Sequence, residues 1–249
     1  MTLPDDLRLW RRARRAELLA RRVGVDATVR RGWDATITHW LTAGFPMLGG
    51  MTVAFYWPFR NEFDPRFAIH HWRERGAHAA LPLVVEKAAP LQFRAWWPGA
   101  PMAAGVYDIP YPDGTAVVAP QALLIPPVGF DERGFRLGYG GGYFDRTLAA
   151  LAPQPLKIGV GFELSRMPTI RPQNHDVPMD FIVTEAGVHF AGANGLVLVG
   201  SADDVRELAR AVLEGRGAAG GGQRDRDQGA ASAAVVPSGG DTRHGKERR

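Results

Sequence analysis

A glycine-rich segment placed between a strand-like run and a helix-like run limits the fold more than any other feature. Residues 138–142 read Gly-Tyr-Gly-Gly-Gly; the apolar run 122–125 precedes them and a helical pattern follows over 143–151. A strand, a glycine turn and a helix start form an anion site, because glycine amides approach phosphate oxygens closely and the helix N-terminus is partly positive. A flexible loop has the same spacing, so the pattern alone does not decide between the two.

The rest of the chain alternates helical and strand-like patterns. This alternation predicts an α/β fold with three α/β/α layers and a mostly parallel sheet, whose ligands bind beyond the carboxyl ends of the strands. Helices are predicted over 3–22, 26–41, 64–76 and 143–151, and strands over 51–56, 79–85, 91–96, 116–119, 122–125, 157–162, 181–184 and 196–199.

Composition divides the chain into three parts. Residues 1–200 are predicted to form one α/β domain, and residues 201–214 a terminal helix. From residue 215 to 249 the chain has almost no large apolar side chain, so a disordered tail is predicted, because it cannot bury enough surface to offset its conformational entropy.

The net charge of +4 comes from the two ends of the chain, since residues 23–215 carry more acids than bases. A nucleic-acid surface is therefore not expected. The chain has no cysteine, which excludes disulfides and thiolate chemistry. The apolar runs are too short for a membrane span, and the arginine-rich start lacks the apolar core of a signal peptide, so a cytoplasmic protein without a membrane partner is predicted.

Arginines form a stripe on the predicted first helix, opposite a side of Leu and Ala. The stripe holds Arg8, Arg11, Arg15 and Arg22, and the apolar side holds Leu9, Ala13, Ala16 and Ala20. Taken by itself, such a stripe is usually a solvated helix face. Beside the glycine segment, Arg136 is placed to grip a phosphate and Asp145 to hold a magnesium ion that accompanies phosphates.

Several segments together resemble the 5-formyltetrahydrofolate cyclo-ligase family, also called methenyltetrahydrofolate synthetases. Residues 126–146 are similar to its Pro-x-x-Phe-Asp and Arg-Leu-Gly-Tyr-Gly-x-Gly-Tyr-Tyr-Asp-Arg signature. Residues 11–15 look like its basic N-terminal helix, 56–64 like its folate-side segment, and 175–185 like the close of its domain. The resemblance covers residues 5–187 and leaves the tail outside.

The resemblance implies an ATP-driven ring closure that converts 5-formyltetrahydrofolate into 5,10-methenyltetrahydrofolate after phosphorylation of the formyl oxygen. It implies ATP and a reduced folate as partners, Mg²⁺ as cofactor, and a monomer that binds no nucleic acid. The implied catalytic residues are Glu62, Arg136 and Tyr143. The nucleotide site would comprise Arg11, Arg15, Arg136, Gly138, Tyr139, Gly140, Gly141, Gly142 and Tyr143, with Asp145 and Asp180 holding the metal.

The chain departs from the family pattern at three places. Many relatives carry Lys at the position of Gly141, and the usual Gly-Lys before the second strand is Gly-Ala at residues 76–77; residues 105–110 replace a Gly-Ile-x-Glu-Pro run. These departures leave a divergent member as an alternative. The residues alone also leave open another phosphate-binding enzyme on the same sheet, for sugar-phosphate or acyl transfer, and a non-catalytic RNA-binding module.

Overall fold

The computed structural model describes residues 5–231, except the side chains of Tyr107 and of residues 217–231. Its helices are α1 (Asp5–Val23), α2 (Ala27–Gly44), α3 (Arg66–Arg73), α4 (Tyr143–Ala150) and α5 (Ala202–Ala231). Its strands are β1 (Thr52–Ala54), β2 (His78–Leu83), β3 (Gln92–Trp96), β4 (Met102–Ala104), β5 (Pro110–Pro112), β6 (Ala122–Ile125), β7 (Gly129–Asp131), β8 (Arg136–Leu137), β9 (Leu156–Val160), β10 (Arg166–Met167), β11 (Phe181–Thr184), β12 (Gly187–Gly192) and β13 (Gly195–Leu198).

An eight-stranded sheet forms the centre of the described region, in the order β13-β12-β11-β9-β6-β1-β2-β3. Strands β11, β9, β6, β1 and β2 run parallel, while β3, β12 and β13 pair antiparallel at the two edges. The predicted mostly parallel sheet is therefore confirmed. From β1 the chain continues to β2 on one side, and from β6 it continues to β9 on the other, so the strand order reverses between β1 and β6. A ligand crevice is therefore expected beyond the carboxyl ends of these two strands.

Helices cover both faces of this sheet, which confirms the three-layer arrangement. One face packs on α2, α3 and α5 around the fully buried Trp72, Phe45 and Phe181. The other face packs on α4 through Leu148, with Leu123 among the strand residues beneath it. Continuous burial of β6, β9 and β11 is what two covered faces require, because neither set of alternating side chains meets water.

A second, three-stranded sheet of β10, β7 and β8 lies under α1. Asp131, the acid of the Pro-x-x-Phe-Asp run, is fully buried there and accepts hydrogen bonds from the backbone amides of Arg133, Phe135 and Ile170. This carboxylate therefore shapes the hairpin that leads into the glycine segment.

Helix α1 forms from Asp5 on, and residues 3 and 4 of the predicted helix lie outside the described residues. Most of the arginine stripe is not the solvated face that its spacing alone would suggest: Arg11 and Arg22 are buried together with Leu18, whereas Leu9 is 62% exposed. Arg11, Arg15 and Arg22 turn inwards because their guanidinium groups find backbone carbonyls and carboxylates there, while Arg8 stays exposed and pairs with Asp5.

The C-terminal helix begins where predicted and continues further. Its buried Val205 packs against α2 at Gly44, where a Cβ would come within 2.8 Å of a valine methyl. The helical backbone runs on to Ala231, into the segment for which composition predicted disorder from residue 215. Alanine, arginine and glutamine in this stretch favour a helix, and several glycines oppose it. Residues 232–249 of the predicted tail lie outside the described residues.

The strand predictions were less complete outside the parallel centre of the sheet. The segment 116–119 makes only an isolated bridge, between Val117 and Arg94. The short strands β4, β5, β7, β8 and β10, which lie in two smaller sheets, and β12, next to the edge strand β13, were not predicted. Within residues 5–231, no helix combines the length and apolar character needed to cross a bilayer.

Candidate active site

A pocket of about 390 Å³ opens beyond the carboxyl ends of the central parallel strands. Tyr56 and Trp57 follow β1, Val84 follows β2 and Pro126 follows β6, and all four line it. The glycine segment closes the opposite wall through its residues 138 to 142, Gly140 excepted. The crevice predicted from strand order and the glycine segment predicted from sequence thus meet at one place.

The glycine segment enters α4 through left-handed backbone. Gly140 has φ +102° and Gly142, the N-cap of α4, has φ +64°, conformations that favour glycine over other residues. A Cβ on Gly141 would meet the ring of Tyr143 at 2.7 Å. Glycine at 141 is therefore matched to a tyrosine ring that lies beside it in the pocket wall.

Glu62, Tyr139 and Arg22 form a hydrogen-bonded chain on the pocket wall. The Tyr139 hydroxyl donates to Glu62 Oε1 at 2.7 Å and accepts from Arg22 Nη2 at 2.6 Å. The backbone amide of Phe59 donates to Glu62 Oε2 at 2.9 Å. Three segments far apart in sequence, α1, the loop after β1 and the glycine segment, are thereby fixed to one another.

Burial raises the pKa of Glu62, and three favourable contacts act in the opposite direction. The Tyr139 hydroxyl, the Arg22 charge and the Phe59 amide each stabilise the carboxylate and so lower the pKa. The Glu62 and Arg22 side chains are only 4% and 5% exposed, with 3.7 Å between Oε1 and Nη2. A buried carboxylate of this kind can orient a polar edge of a flat ligand by hydrogen bonding.

Arg136 and Asp145 form a second buried pair beneath the glycine segment. Arg136 Nη2 donates to Asp145 Oδ1 at 2.8 Å, and its Nη1 donates to the Val177 carbonyl at 2.8 Å. The backbone amide of Val177 also donates to Asp145 Oδ1. Burial lowers the pKa of Arg136, which the Asp145 carboxylate opposes. The phosphate-gripping guanidinium predicted at 136 is therefore already paired with the predicted metal ligand.

The two arginines predicted to clamp phosphates have different surroundings. Arg11 donates to Asp176 Oδ2 at 2.6 Å and to the carbonyls of Ile170 and Arg171, so it anchors the loop before β11. Arg15 Nε donates to the Gly138 carbonyl at 2.6 Å. Arg15 thus lies on the glycine segment, as predicted, while Arg11 has a structural set of partners.

Asp180 lies at the amino end of β11, at the end of the sheet opposite the pocket. It directly precedes β11 and contacts Lys157, near the start of β9, and Arg216 of α5, with Arg216 Nη2 at 2.6 Å from Oδ1. The pocket lies at the opposite, carboxyl ends of these strands. The structure therefore does not bring Asp180 to the pocket that Asp145 lines.

In the region spanning residues 5–231, no three His, Asp or Glu side chains are grouped to hold a metal ion. Asp145 by itself fits a magnesium site that is completed by phosphate oxygens and water, because Mg²⁺ at phosphates commonly takes one or two carboxylates. Its side chain is 20% exposed, lines the pocket, and makes its hydrogen bonds through Oδ1, which leaves Oδ2 for a ligand role.

Residues 8–185 match the 5-formyltetrahydrofolate cyclo-ligase family. The chain is 32% identical to the 5-formyltetrahydrofolate cyclo-ligase of Mycolicibacterium smegmatis over 178 residues, which are 68% of this chain and 91% of the relative. It is 28% identical to that of Escherichia coli K12 over 152 residues, 57% of this chain and 82% of the relative. The chain belongs to the 5-formyltetrahydrofolate cyclo-ligase family, whose members are ligases.

Two solved structures share the fold. The 5,10-methenyltetrahydrofolate synthetase of Aquifex aeolicus superposes with a TM-score of 0.64 at 24% identity, over 76% of this chain and 96% of that one. The synthetase of Mycoplasma pneumoniae gives a TM-score of 0.59 at 23% identity, over 70% and 98%.

Two site residues were not assigned from sequence. Arg22 was placed on the stripe but given no role, although its spacing of seven from Arg15 puts both on one helix face. Arg146 closes the signature run and folds back onto the glycine segment, where it contacts the Gly141 carbonyl. Helical spacing was a usable signal for Arg22; for Arg146 only the structure reveals the contact.

Proposed function

We propose that this protein catalyses the ATP-dependent cyclisation of 5-formyltetrahydrofolate to 5,10-methenyltetrahydrofolate. The observation that carries the proposal is the pocket itself. It places an amide-rich glycine segment and a helix N-terminus beside aromatic walls and a buried carboxylate, Glu62. Family membership supports the same reaction.

The chemistry requires a phosphate site and a ring site next to each other. The formyl oxygen attacks the γ-phosphorus of ATP, and ADP leaves. The neighbouring folate amine then attacks the activated carbon, loses its proton, and inorganic phosphate departs with the former formyl oxygen. Phosphorylation comes first because an amide oxygen is a poor leaving group. Charge on the transferring phosphoryl group is stabilised best by fixed amide dipoles and cations.

We assign the phosphoryl group to the backbone of residues 138–142, with Arg15 beside it. Arg136 contributes by holding Asp145 in place beneath the segment. When bound, Mg²⁺ neutralises charge on the phosphates, and Asp145 Oδ2 is the ligand offered by the protein. Asp180 is not proposed as a ligand, since its partners are Lys157 and Arg216.

The reduced folate is assigned to the aromatic part of the pocket. Trp57, Tyr143 and the ring of Tyr111 provide apolar surface on which a flat pterin can stack. The Glu62 carboxylate orients the ring through hydrogen bonds to its N–H groups. The pocket volume of about 390 Å³ suits a bicyclic ring but not the whole folate, so the glutamate end would extend to solvent.

The test is the absorbance of methenyltetrahydrofolate formed from folinate, ATP and Mg²⁺ by the purified protein. We expect product that requires all three, and expect Glu62→Gln to lose most of kcat/KM. A matched control is Glu74→Gln, since the Glu74 side chain is exposed and, among the described side chains, forms an ion pair only with His70 of α3. Absence of product from the unaltered protein would overturn the proposal.

The other functions considered from sequence have less support. The acidic middle of the chain opposes an RNA-binding role, and no observation favours transfer of a sugar phosphate or acyl group. A cytoplasmic location remains our proposal on the composition of the chain, and a monomer remains our proposal on the family resemblance.

A further inference from the structure

Two guanidinium groups lie against the glycine segment from outside the pocket lining. The Arg15 guanidinium carbon is 3.3 Å from the position a Cβ would take on Gly140. Arg146 Nη1 is 2.9 Å from the corresponding position on Gly142, and Arg146 donates to the carbonyl of Gly141. The segment is thus held between two cations that come from different helices, α1 and α4.

Unlike the other arginines of the site, these two are not paired with a carboxylate among the described side chains. Arg11 pairs with Asp176 and Arg136 pairs with Asp145. Among the side chains that the structure describes, neither Arg15 nor Arg146 has a carboxylate oxygen within 4.0 Å. Positive charge therefore accumulates beside the glycine segment and the N-terminus of α4.

The position of Arg146 is also unfavourable for the helix that carries it. It lies in the first turn of α4, four residues after the N-cap Gly142, where the helix dipole favours acids over bases. Its guanidinium stacks over the Tyr143 ring, 5.3 Å from the centroid, and its Nε is buried without a hydrogen-bond partner among the described residues. Such an arrangement is stabilised when an anion binds between the cations and the helix end.

We propose that Arg146 is a phosphate-binding residue of the nucleotide site, acting with Arg15 as a pair that closes on the glycine segment. The nucleotide phosphates take the hydrogen bond that Arg146 now gives to Gly141. The identity of the anion as ATP rests on the proposed function. The placement of an anion between Arg15 and Arg146 rests only on their contacts and charges.

The test compares Arg146→Gln and Arg146→Lys with the unaltered protein by calorimetric titration with ADP, without folate, at several salt concentrations. Loss of one charge-assisted hydrogen bond to phosphate weakens ADP binding by about 10- to 100-fold in R146Q. R146K, which keeps the charge, should fall between. The salt dependence of ADP affinity should become shallower in R146Q only, because one fewer charge meets the phosphates.

Arg210→Gln is the matched control, since Arg210 is exposed on α5 and should not alter ADP binding. An ADP affinity within twofold of the unaltered protein in R146Q overturns the proposal. So does weaker binding with an unchanged salt dependence, which would mean that Arg146 only holds the Gly141 carbonyl. If R146Q does not fold, Arg146→Met, which also removes the charge but keeps an apolar stem over the Tyr143 ring, decides by the same two measurements. The absence of methenyltetrahydrofolate in the turnover assay would instead overturn the proposed reaction and leave the ADP result standing.

Discussion

Replacing Tyr139 with Phe removes one hydroxyl that serves both Glu62 and Arg22. The hydroxyl donates to the carboxylate at 2.7 Å and accepts from the guanidinium at 2.6 Å, and both partners are buried. Hydrogen bonds to charged groups contribute about 1.5–3 kcal/mol each. The direct 3.7 Å pair between Glu62 and Arg22 remains and offsets part of the loss. We expect a net destabilisation of about 2 kcal/mol, or about 4–8 °C in Tm for a domain of this size.

The same substitution has a pH dependence whose sign follows from the burial of Glu62. The pKa of this carboxyl is already raised in the folded protein, and losing the Tyr139 hydrogen bond raises it further. When folding raises the pKa of a carboxyl, the free energy of unfolding falls as pH rises from the unfolded-state pKa through the folded-state pKa. The destabilisation by Tyr139→Phe should therefore be smaller in acid, where Glu62 is protonated, and larger at neutral pH. The acid limb of kcat/KM should move to higher pH.

Urea unfolding at a series of pH values measures the first effect, and initial rates of methenyltetrahydrofolate formation measure the second. Tyr111→Phe is the matched control, because Tyr111 lines the same pocket and its hydroxyl makes no hydrogen bond to any side chain or backbone group that the structure describes. A Tyr139→Phe protein as stable as the parent at neutral pH, or one destabilised equally at every pH, would refute the reasoning.

One substitution and one pair of truncations test the charge pairs. Asp145→Asn should lower both Mg²⁺-dependent turnover and the free energy of unfolding. The loss measured by denaturant unfolding should be about 3 kcal/mol, because Arg136 then keeps a buried charge without its carboxylate partner. Full stability without turnover would show that the pair contributes nothing to the fold. Ending the chain after Gly215 should cost about 1 kcal/mol more than ending it after Arg216, since only the shorter chain loses the ion pair with Asp180. Equal melting temperatures for the two truncations would contradict this.

Local sequence patterns predicted the centre of the fold well. The buried runs 122–125 and 181–184 are strands with the predicted bounds, because continuous apolar residues between turn signals leave few alternatives. The short strands of the two smaller sheets were missed, because their two or three residues pair only when a neighbouring strand is already in place. Pairing of β10 with β7, for instance, depends on long-range packing that no local period records.

The site was harder to predict, for a different physical reason. Glu62 and Tyr139 are 77 residues apart, and their hydrogen bond follows from the meeting of strand ends rather than from spacing. Spacing alone does not reveal the inner face of α1, because an apolar count treats arginine as outward, whereas here carbonyl and carboxylate partners make the burial of Arg11 and Arg22 favourable. Asp180 was grouped with Asp145 by family resemblance, but it lies at the amino ends of the strands, opposite the carboxyl ends where Asp145 lines the pocket.

The attachment of α1 by three arginines has a consequence for how the two ligands affect each other's binding. One helix is tied by Arg11 to the loop before β11, by Arg15 to the glycine segment, and by Arg22 to the loop that carries Glu62. A ligand that immobilises any one of these loops also reduces the entropy lost when the next is ordered. Nucleotide and folate should then strengthen each other's binding by equal factors, whichever arrives first.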